Sequence, residues 1–189
     1  MSSFVTFSGE QSWLSNFWYQ TIEYEGILYP STEHAYQASK TLDMNVRQEM
    51  ANMGNASSVM RYGRTLPVRP DWEDVKIKIM YDVNVKKFEN YELRKKLLAT
   101  GNQDLVEGNT WGDTFWGVCG GVGENNLGKI LMRIREEIKC GDLKNPIDEL
   151  MWQTELLFFS YANNEQYSEK SRTLIKLMWQ DICNIQEKF

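Results

Sequence analysis

The chain has 189 residues, 42% of them apolar and 25% charged, which is enough for one compact domain with its own core. Its net charge of -5 and the absence of a run of Lys and Arg argue against a domain that holds nucleic acid through its phosphates. Three cysteines far apart and a single histidine exclude a disulfide framework, a zinc pattern and a histidine-rich metal site. We therefore expect no metal site of these kinds, and we expect no cofactor.

The first residues lack the charged and apolar regions of a signal peptide. No stretch reaches the roughly 18 to 20 apolar residues that a membrane span needs. The sequence therefore predicts a reduced, cytoplasmic protein with no membrane partner.

Short strands are predicted at the beginning of the chain. Val5 and Phe7 alternate with polar neighbours. Ile22–Tyr24 and Ile27–Tyr29 flank Glu25-Gly26, which is the pattern of a β-hairpin.

Helical patterns dominate the rest of the sequence. Ser31 is a good N-cap and Glu33 follows in the first turn, so a helix should begin at Thr32. The segments with helical signals are 32–42, 46–53, 57 or 58 to before Pro67, Asp71 to Thr100 with a break at Asn90, 127–140, 147–162 and 168–186. The prediction is an α+β fold, a predominantly helical domain with a few short strands over 1–141 and a helical C-terminal extension, 142–189, packed on it.

The apolar side chains of the extension need cover. Met151, Trp152 and the run from Leu156 to Phe159 are too apolar for free solvent. The extension is therefore expected either to pack on the domain or to form a partner or dimer surface.

The predicted helix at 32–42 carries an unusual polar face. Glu33, Tyr36, Gln37 and Lys40 follow one another at i, i+3, i+4 and i+7. This face is either a solvated stripe or the wall of a polar pocket. The helix dipole favours an ionised Glu33, suited to act as a base or a stabilising charge, whereas burial would act the other way. Lys40 lies about 10 Å further along the axis, where it suits a ligand phosphate better than an ion pair with Glu33.

A second unusual segment is dense in glycine. Residues 101–126 contain seven of the thirteen glycines, together with acids and tryptophans. The spacing matches neither a dinucleotide-binding nor a Walker phosphate loop. The segment is either a structural loop with core tryptophans or a place where the backbone approaches a ligand.

Two carboxylates on these separate segments, Glu33 and Asp113, could meet across a cleft. Breaking a glycosidic C–N bond builds positive charge on the ribose carbon, which an ionised carboxylate stabilises. Water must also be activated, and the leaving nitrogen must be protonated or otherwise accommodated.

Five short motifs stand in the order found in one known family. They are Leu14-Ser15-Asn16-Phe17, Tyr29 to Lys40, Leu98 to Gly101, Asp113 to Gly117 and Asn126 to Met132. Together they resemble the NADAR family, also called YbiA-like, over about residues 4–138. The resemblance implies a helix-rich α+β fold and a metal-free N-glycosidase.

The resemblance also implies two groups of substrate. Some members look like hydrolases of phosphorylated riboflavin-pathway intermediates, and others resemble enzymes that remove ADP-ribose from guanine in DNA or process related compounds. The expected partner is a small nucleotide-like molecule, with possible transient contact with ADP-ribosylated nucleic acid. The leaving base and the number of subunits stay open.

Two other classes of function stay open beside the enzyme. A binding module for ADP-ribose or NAD-derived nucleotides would use the same pocket without turnover. An interaction protein would use the apolar extension instead, which would leave the polar helix face and the glycine-dense segment unexplained.

By resemblance, the family's two acids fall on Glu33 and Asp113, which are the expected catalytic residues. The expected substrate-binding residues are Asn16, Tyr36, Gln37, Lys40, Trp72, Trp116 and Gly117.

Several of these positions allow a second interpretation. Trp72 fits the apolar face of its own helix as well as a stacking role. Arg61 and Arg64 suit a phosphate or the surface. Arg135 matches a family arginine but would also fit a salt bridge.

Overall fold

The computed structural model describes residues 4–144, 154 and 156–186, with side chains described as far as residue 180. The chain divides into two compact units, residues 1–143 and 144–189. The predominantly helical α+β fold predicted from the sequence is confirmed, and helices are present in the C-terminal extension. That the extension packs on the first unit stays a prediction.

The strands of the described residues are short and form three separate pairs. They are β1 (Phe4–Thr6) parallel with β4 (Asp104–Val106), β2 (Ile22–Tyr24) antiparallel with β3 (Ile27–Tyr29), and β5 (Gly108–Asn109) parallel with β6 (Val118–Cys119). The predicted hairpin is therefore confirmed. Its two-residue turn has Glu25 and Gly26 at positive φ, as a tight hairpin turn requires.

Helices form most of the first unit. A 3-10 helix covers Gly9–Leu14, and the α-helices are α1 (Thr32–Ala38), α2 (Met44–Ala51), α3 (Ala56–Gly63), α4 (Trp72–Lys87), α5 (Tyr91–Ala99) and α6 (Asn126–Cys140). In the second unit residues 156–162 are helical and α7 covers Glu169–Gln186. Met151 and Trp152, and part of the predicted helix 147–162, lie outside the described residues.

Local capping explains where several helices begin. The side chains of Ser31, Asp43, Asn55 and Asn90 accept hydrogen bonds from free backbone N–H groups in the first turns. Asp71 occupies the N-cap position of α4, which begins at Trp72, but its side chain accepts no hydrogen bond from the first turn. Its carboxylate instead binds the guanidinium of Arg69, at 2.6 and 2.8 Å.

Helix α1 is shorter than predicted, because it ends at Ala38 and not near Leu42. The backbone N–H groups of Lys40 and Thr41 bond to carbonyls only three residues back, and the Ser39 hydroxyl donates to the carbonyl of Ala35. This tightened last turn closes the helix. Lys40 therefore lies two residues beyond the end of α1 and not on its last turn.

Every residue of α1 is buried, because α1 packs against α2, α3 and α4. The exposed fractions of Glu33, Tyr36 and Gln37 are 7%, 5% and 6%. The interpretation of the polar face as a solvated stripe is therefore wrong. Polar groups buried this deeply need partners or a cavity.

Arg135 on α6 links α6 to the end of α5. Its Nη1 donates to the hydroxyl of Thr100 at 2.8 Å and to the carbonyl of Gln103 at 2.9 Å, and the side chain is almost fully buried. Its Nε lies 3.5 Å from a carboxylate oxygen of Glu136. These contacts give Arg135 a structural role.

The second unit has aromatic contacts of its own. The ring centres of Phe158 and Trp179 are 5.1 Å apart, and those of Tyr161 and Tyr167 are 5.7 Å apart.

Across the part of the chain that the structure describes, no helix has both the length and the apolar character of a membrane span.

Candidate functional site

A cavity of about 870 Å³ opens between α1, the beginning of α4, the Ser15–Phe17 segment and the glycine-dense segment. This volume is in the range of small-molecule sites. Eight of the nine predicted site residues line it, namely Asn16, Glu33, Tyr36, Gln37, Lys40, Trp72, Asp113 and Trp116. Residues separated widely in the sequence therefore share one cavity.

Glu33 is held at the beginning of α1 by two contacts. Its backbone N–H donates to the carbonyl of Asn16 at 3.0 Å, and its Oε1 accepts from Nε2 of Gln37 at 2.9 Å. Burial raises its pKa to about 7, although the hydrogen bond from Gln37 and the charges of Lys40 and Arg64 act in the opposite direction. Burial therefore outweighs the stabilisation of the carboxylate expected at a helix N-terminus, and Glu33 changes protonation near neutral pH.

Gln37 is fixed against α3 by a close backbone approach. A methyl group at Gly63 would lie 2.2 Å from Oε1 of Gln37, so any larger residue there would push this side chain out of its position. Oε1 itself is buried and has no partner among the described residues. The position of Gln37, and through it that of Glu33, depends on this contact.

Asn16 supports the other end of the Glu33 segment. Its side-chain oxygen accepts from the hydroxyl of Thr32 at 3.1 Å, and its Nδ2 donates to the sulfur of Met80 at 3.1 Å. Its amide is therefore engaged within the protein while it also lines the cavity.

Asp113 is rigidly held by the loop around it. Its Oδ1 accepts from the backbone N–H groups of Phe115, at 3.0 Å, and Trp116, at 2.9 Å. Asn109 clamps its backbone by accepting from the N–H and donating to the carbonyl. The charge of Asp113 acts on Glu33 and raises the pKa of Glu33. The two acids predicted to meet across a cleft thus line one cavity.

Aromatic rings form one part of the wall. The ring of Tyr36 lies 5.2 Å from that of Trp72 and 5.5 Å from that of Trp116, the latter nearly perpendicular. Trp72 is 8% exposed, belongs to the hydrophobic core and also lines the cavity, so both interpretations of this residue describe its position. Burial raises the pKa of Tyr36, which keeps its phenol neutral.

Three cations line the cavity, Lys40, Lys76 and Arg64. Burial lowers the pKa of Lys40, whose ammonium lies 5.9 Å from the centre of the Trp72 ring. The ammonium of Lys76 lies 4.2 Å from the centre of the Phe115 ring. Arg61, in contrast, does not line the cavity; its guanidinium bonds to the hydroxyl of Ser58.

Gly117 is the predicted site residue that the described cavity wall does not include. It is buried, and a methyl group there would lie 2.2 Å from the carbonyl oxygen of Glu107 and 2.8 Å from Nδ2 of Asn109. Its predicted contact with substrate is therefore not supported by its position. Glycine is needed at this position because the backbone carbonyl of Glu107 passes so close to it.

Glu107 lines the cavity and was missed among the predicted site residues. Its Oε2 is buried without a described partner. Burial and the charge of Asp113 raise its pKa to about 7, while the ammonium of Lys87 acts in the opposite direction. The sequence signal that could have identified Glu107 is its position directly after the apolar pair Leu105-Val106, within the glycine-dense segment.

Lys87 is a fully buried cation behind this wall. Its ammonium donates to the carbonyls of Leu14, at 3.2 Å, and Ser15, at 2.7 Å, and burial lowers its pKa to about 7. A lysine in the last turn of a helix normally points to solvent and satisfies the helix dipole. The sequence therefore carried no signal for its burial.

His34, the single histidine, is fully buried on α1. Its Nε2 lies 3.2 Å from the carbonyl of Met53, which can only accept, so Nε2 carries the proton. Its Nδ1 then accepts from the hydroxyl of Ser31 at 2.7 Å. Burial lowers the pKa of His34, and both ring nitrogens are used within the fold.

Comparisons with known proteins agree with this arrangement. N-glycosidase YbiA of Escherichia coli (strain K12) is 39% identical over 140 residues, which cover 72% of this chain and 87% of that protein. An N-glycosidase of Nostoc punctiforme is 36% identical over 140 residues, covering 66% of this chain and 84% of that protein. A riboflavin biosynthesis protein of Vibrio vulnificus is 38% identical over 130 residues, which cover 67% of this chain but only 35% of that protein.

The fold agrees as well. The NMR structure of E. coli YbiA has a TM-score of 0.68 and 36% identity, covering 76% of this chain and 89% of that one. The NADAR domain matches residues 3–139. The chain belongs to the NADAR family.

Proposed function

We propose that the protein hydrolyses the bond between a ribose carbon and a base-like nitrogen in a phosphorylated ribosyl or ADP-ribosyl compound. The coarser class follows from the relatives named N-glycosidases at 36% to 39% identity: the chain is a hydrolase of N-glycosyl bonds. The substrate group is our proposal. The observation that carries it is one cavity shared by three acids, several aromatic rings and three cations.

Two of these acids, Asp113 and Glu33, suit different parts of this reaction. Asp113 is fixed by two backbone N–H groups, so it offers a preorganised negative charge to the oxocarbenium-like sugar. Glu33 changes protonation near neutral pH, as suits a base that takes a proton from the attacking water. Gln37 orients Glu33 through one of its carboxylate oxygens.

The remaining wall supports a phosphorylated nucleotide-like ligand. Lys40 and Arg64 supply positive charge for a phosphate, and the rings of Trp72 and Trp116 supply apolar faces on which a base stacks. The net charge of -5 favours a free nucleotide over a long nucleic acid. The name of the Vibrio vulnificus relative supports testing the riboflavin pathway first.

Two substrates test the proposal. Purified protein is incubated with a 5-phosphoribosylamino-pyrimidine and, separately, with an oligonucleotide that carries ADP-ribosylated guanine, and the release of sugar is followed by chromatography. We expect release from at least one of them, with a loss of about 10²- to 10⁴-fold in Glu33→Gln. Glu23→Gln is the matched control, because Glu23 is exposed on β2 and away from the cavity.

A folded Glu33→Gln protein that cleaves at the wild-type rate would contradict the assignment of Glu33. Tight nucleotide binding without any product after long incubation would instead support a binding module.

A further inference from the structure

Glu107 is anchored on both sides of its α-carbon. Its backbone N–H donates to the side chain of Asn125 at 3.0 Å, and its carbonyl accepts from the N–H of Val118 at 2.8 Å. Gly117 packs beneath the side chain, where a methyl group would lie 3.0 Å from Cγ of Glu107. The backbone that carries the Glu107 side chain is therefore held in place, as is required of a residue whose carboxyl group acts on reacting atoms.

The surroundings of Glu107 differ from those of the other two acids. Glu33 accepts a hydrogen bond from Gln37, and Asp113 accepts two from the backbone. Oε2 of Glu107 is buried and accepts no hydrogen bond from the described residues. Hydrogen bonds to a carboxylate favour its charged form, and a buried carboxyl oxygen without them favours the protonated form.

The charges of the two neighbouring acids also favour the protonated form of Glu107. Glu107 is close enough to Asp113 and Glu33 to be affected by their charges, and both oppose its ionisation. Lys87 acts in the opposite direction, so the acid keeps a proton that it can release near neutral pH. Like charges that share a cavity disfavour one another's ionisation, so Glu107 holds its proton more readily than an exposed carboxyl group does.

We propose that Glu107 is the proton donor of the reaction, giving its proton to the leaving nitrogen while Glu33 takes one from the attacking water. This inference rests on the proposed function and adds to it the acid that protonates the leaving group. It also limits the preferred substrates to those whose leaving base is neutral in the bound compound and needs a proton to depart.

The proposed step balances. The C–N bond breaks and its electron pair stays on the nitrogen, which binds the proton of Glu107. The water oxygen forms a bond to the ribose carbon and loses a proton to Glu33. Proton exchange with solvent then returns Glu107 to the acid and Glu33 to the carboxylate.

The test compares two leaving groups. One substrate is the 5-phosphoribosylamino-pyrimidine, whose nitrogen needs a proton. The other is a pyridinium riboside 5-phosphate, whose nitrogen leaves as a neutral pyridine without one. For Glu107→Gln we expect a loss of about 10²- to 10³-fold in kcat/KM on the first substrate and less than about tenfold on the second. Glu33→Gln should lose activity on both substrates.

A pH profile gives a second measurement that a merely structural role would not change. On the first substrate, the fall in kcat/KM above neutral pH should be present in the wild type and in Glu107→Asp, and absent in Glu107→Gln. Thermal unfolding and the Kd for ribose 5-phosphate check that the site remains folded in each variant, and Glu23→Gln is the control.

Three results would overturn the assignment of Glu107. They are a wild-type rate in Glu107→Gln on the first substrate, an equal loss on both substrates, and an unchanged fall at high pH. If the wild type cleaves only the first substrate, the comparison of leaving groups is lost, and the pH profile on the first substrate then tests the assignment alone. A wild type that cleaves neither substrate would overturn the proposed function for this substrate group, and this inference with it.

Discussion

A methyl group at Gly63 would lie 2.2 Å from Oε1 of Gln37, the residue that holds Glu33. We predict that Gly63→Ala displaces Gln37, breaks its hydrogen bond to Glu33 and lowers kcat by about tenfold or more. The free energy of unfolding should change little, because alanine favours a helix over glycine by about 1 kcal/mol. This gain offsets part of the cost of the close contact with Gln37. Steady-state kinetics and thermal unfolding measure the two effects. A loss of stability with normal kcat would contradict the predicted coupling.

The pH dependence of stability should change in Glu33→Gln. The pKa of Glu33 is about 7 in the folded protein and near 4.5 in the unfolded chain, so the folded state holds the proton more tightly. The free energy of unfolding therefore falls as pH rises from about 4.5 to about 7, and the loss is complete above that range. We expect Glu33→Gln to be more stable than the wild type at pH 8, by up to about 3 kcal/mol.

Urea unfolding at several pH values between 4.5 and 8 measures this difference. The advantage of Glu33→Gln should disappear toward pH 4.5, and Glu23→Gln should show none at any pH. An advantage that does not depend on pH would argue against ionisation as its cause.

Lys87 should act on the pH dependence with the opposite sign. Its pKa is about 7 in the folded protein and near 10.5 in the unfolded chain, so the unfolded chain holds the proton more tightly. Its contribution to the free energy of unfolding rises as pH increases from about 7 to about 10.5, by up to about 1.4 kcal/mol per pH unit. In Lys87→Met this rise should be missing, and urea unfolding at pH 7 to 10 measures it. Identical slopes in both proteins would contradict the prediction.

Arg135→Met should weaken the fold and spare the chemistry. The variant leaves the hydroxyl of Thr100 and the carbonyl of Gln103 without their buried donor, at a cost of about 2 to 4 kcal/mol. Because Arg135 does not line the cavity, KM and kcat per folded molecule should stay within about twofold of the wild type. Kinetics well below the melting temperature, together with calorimetry, test both parts. A large rise in KM with normal stability would place Arg135 near the substrate.

The first unit should fold without the second. Every residue of the described hydrophobic core cluster lies in the first unit, the last of them being Ile138. We predict that residues 1–143 unfold cooperatively, with a melting temperature within a few degrees of that of the full chain. Calorimetry measures it. A truncated chain that does not fold would show that the C-terminal extension supplies part of the core.

The sequence predicted the parts of the fold that local signals specify. Ser31 caps α1 and the Glu25-Gly26 turn makes a hairpin, because each feature depends on a few consecutive residues. Apolar spacing likewise predicted α6 up to Cys140. Asp71 stands at the N-cap position of α4 as its sequence context indicates, but its carboxylate binds the guanidinium of Arg69 and not the backbone of the first turn.

The parts that could not be predicted depend on contacts between distant segments. The end of α1 and the burial of all its residues follow from packing against α2, α3 and α4. Lys87 meets the carbonyls of Leu14 and Ser15 across more than 70 positions of sequence. Glu107 comes directly after β4, and β4 pairs with β1, a strand 100 positions earlier in the sequence. Its place in the cavity wall therefore depends on a long-range pairing that local signals do not reveal.

The enclosed ring of His34 has a consequence for enzymology. An inflection of activity near neutral pH is usually attributed to an imidazole, and its loss after acylation of histidine is taken as proof. Here the single imidazole is sealed between Ser31 and Met53, out of reach of both substrate and reagent. A neutral inflection in this protein would therefore come from a group other than an imidazole, such as the carboxyl groups of Glu33 and Glu107 or the ammonium of Lys87. A histidine reagent would reach His34 only after α1 had opened.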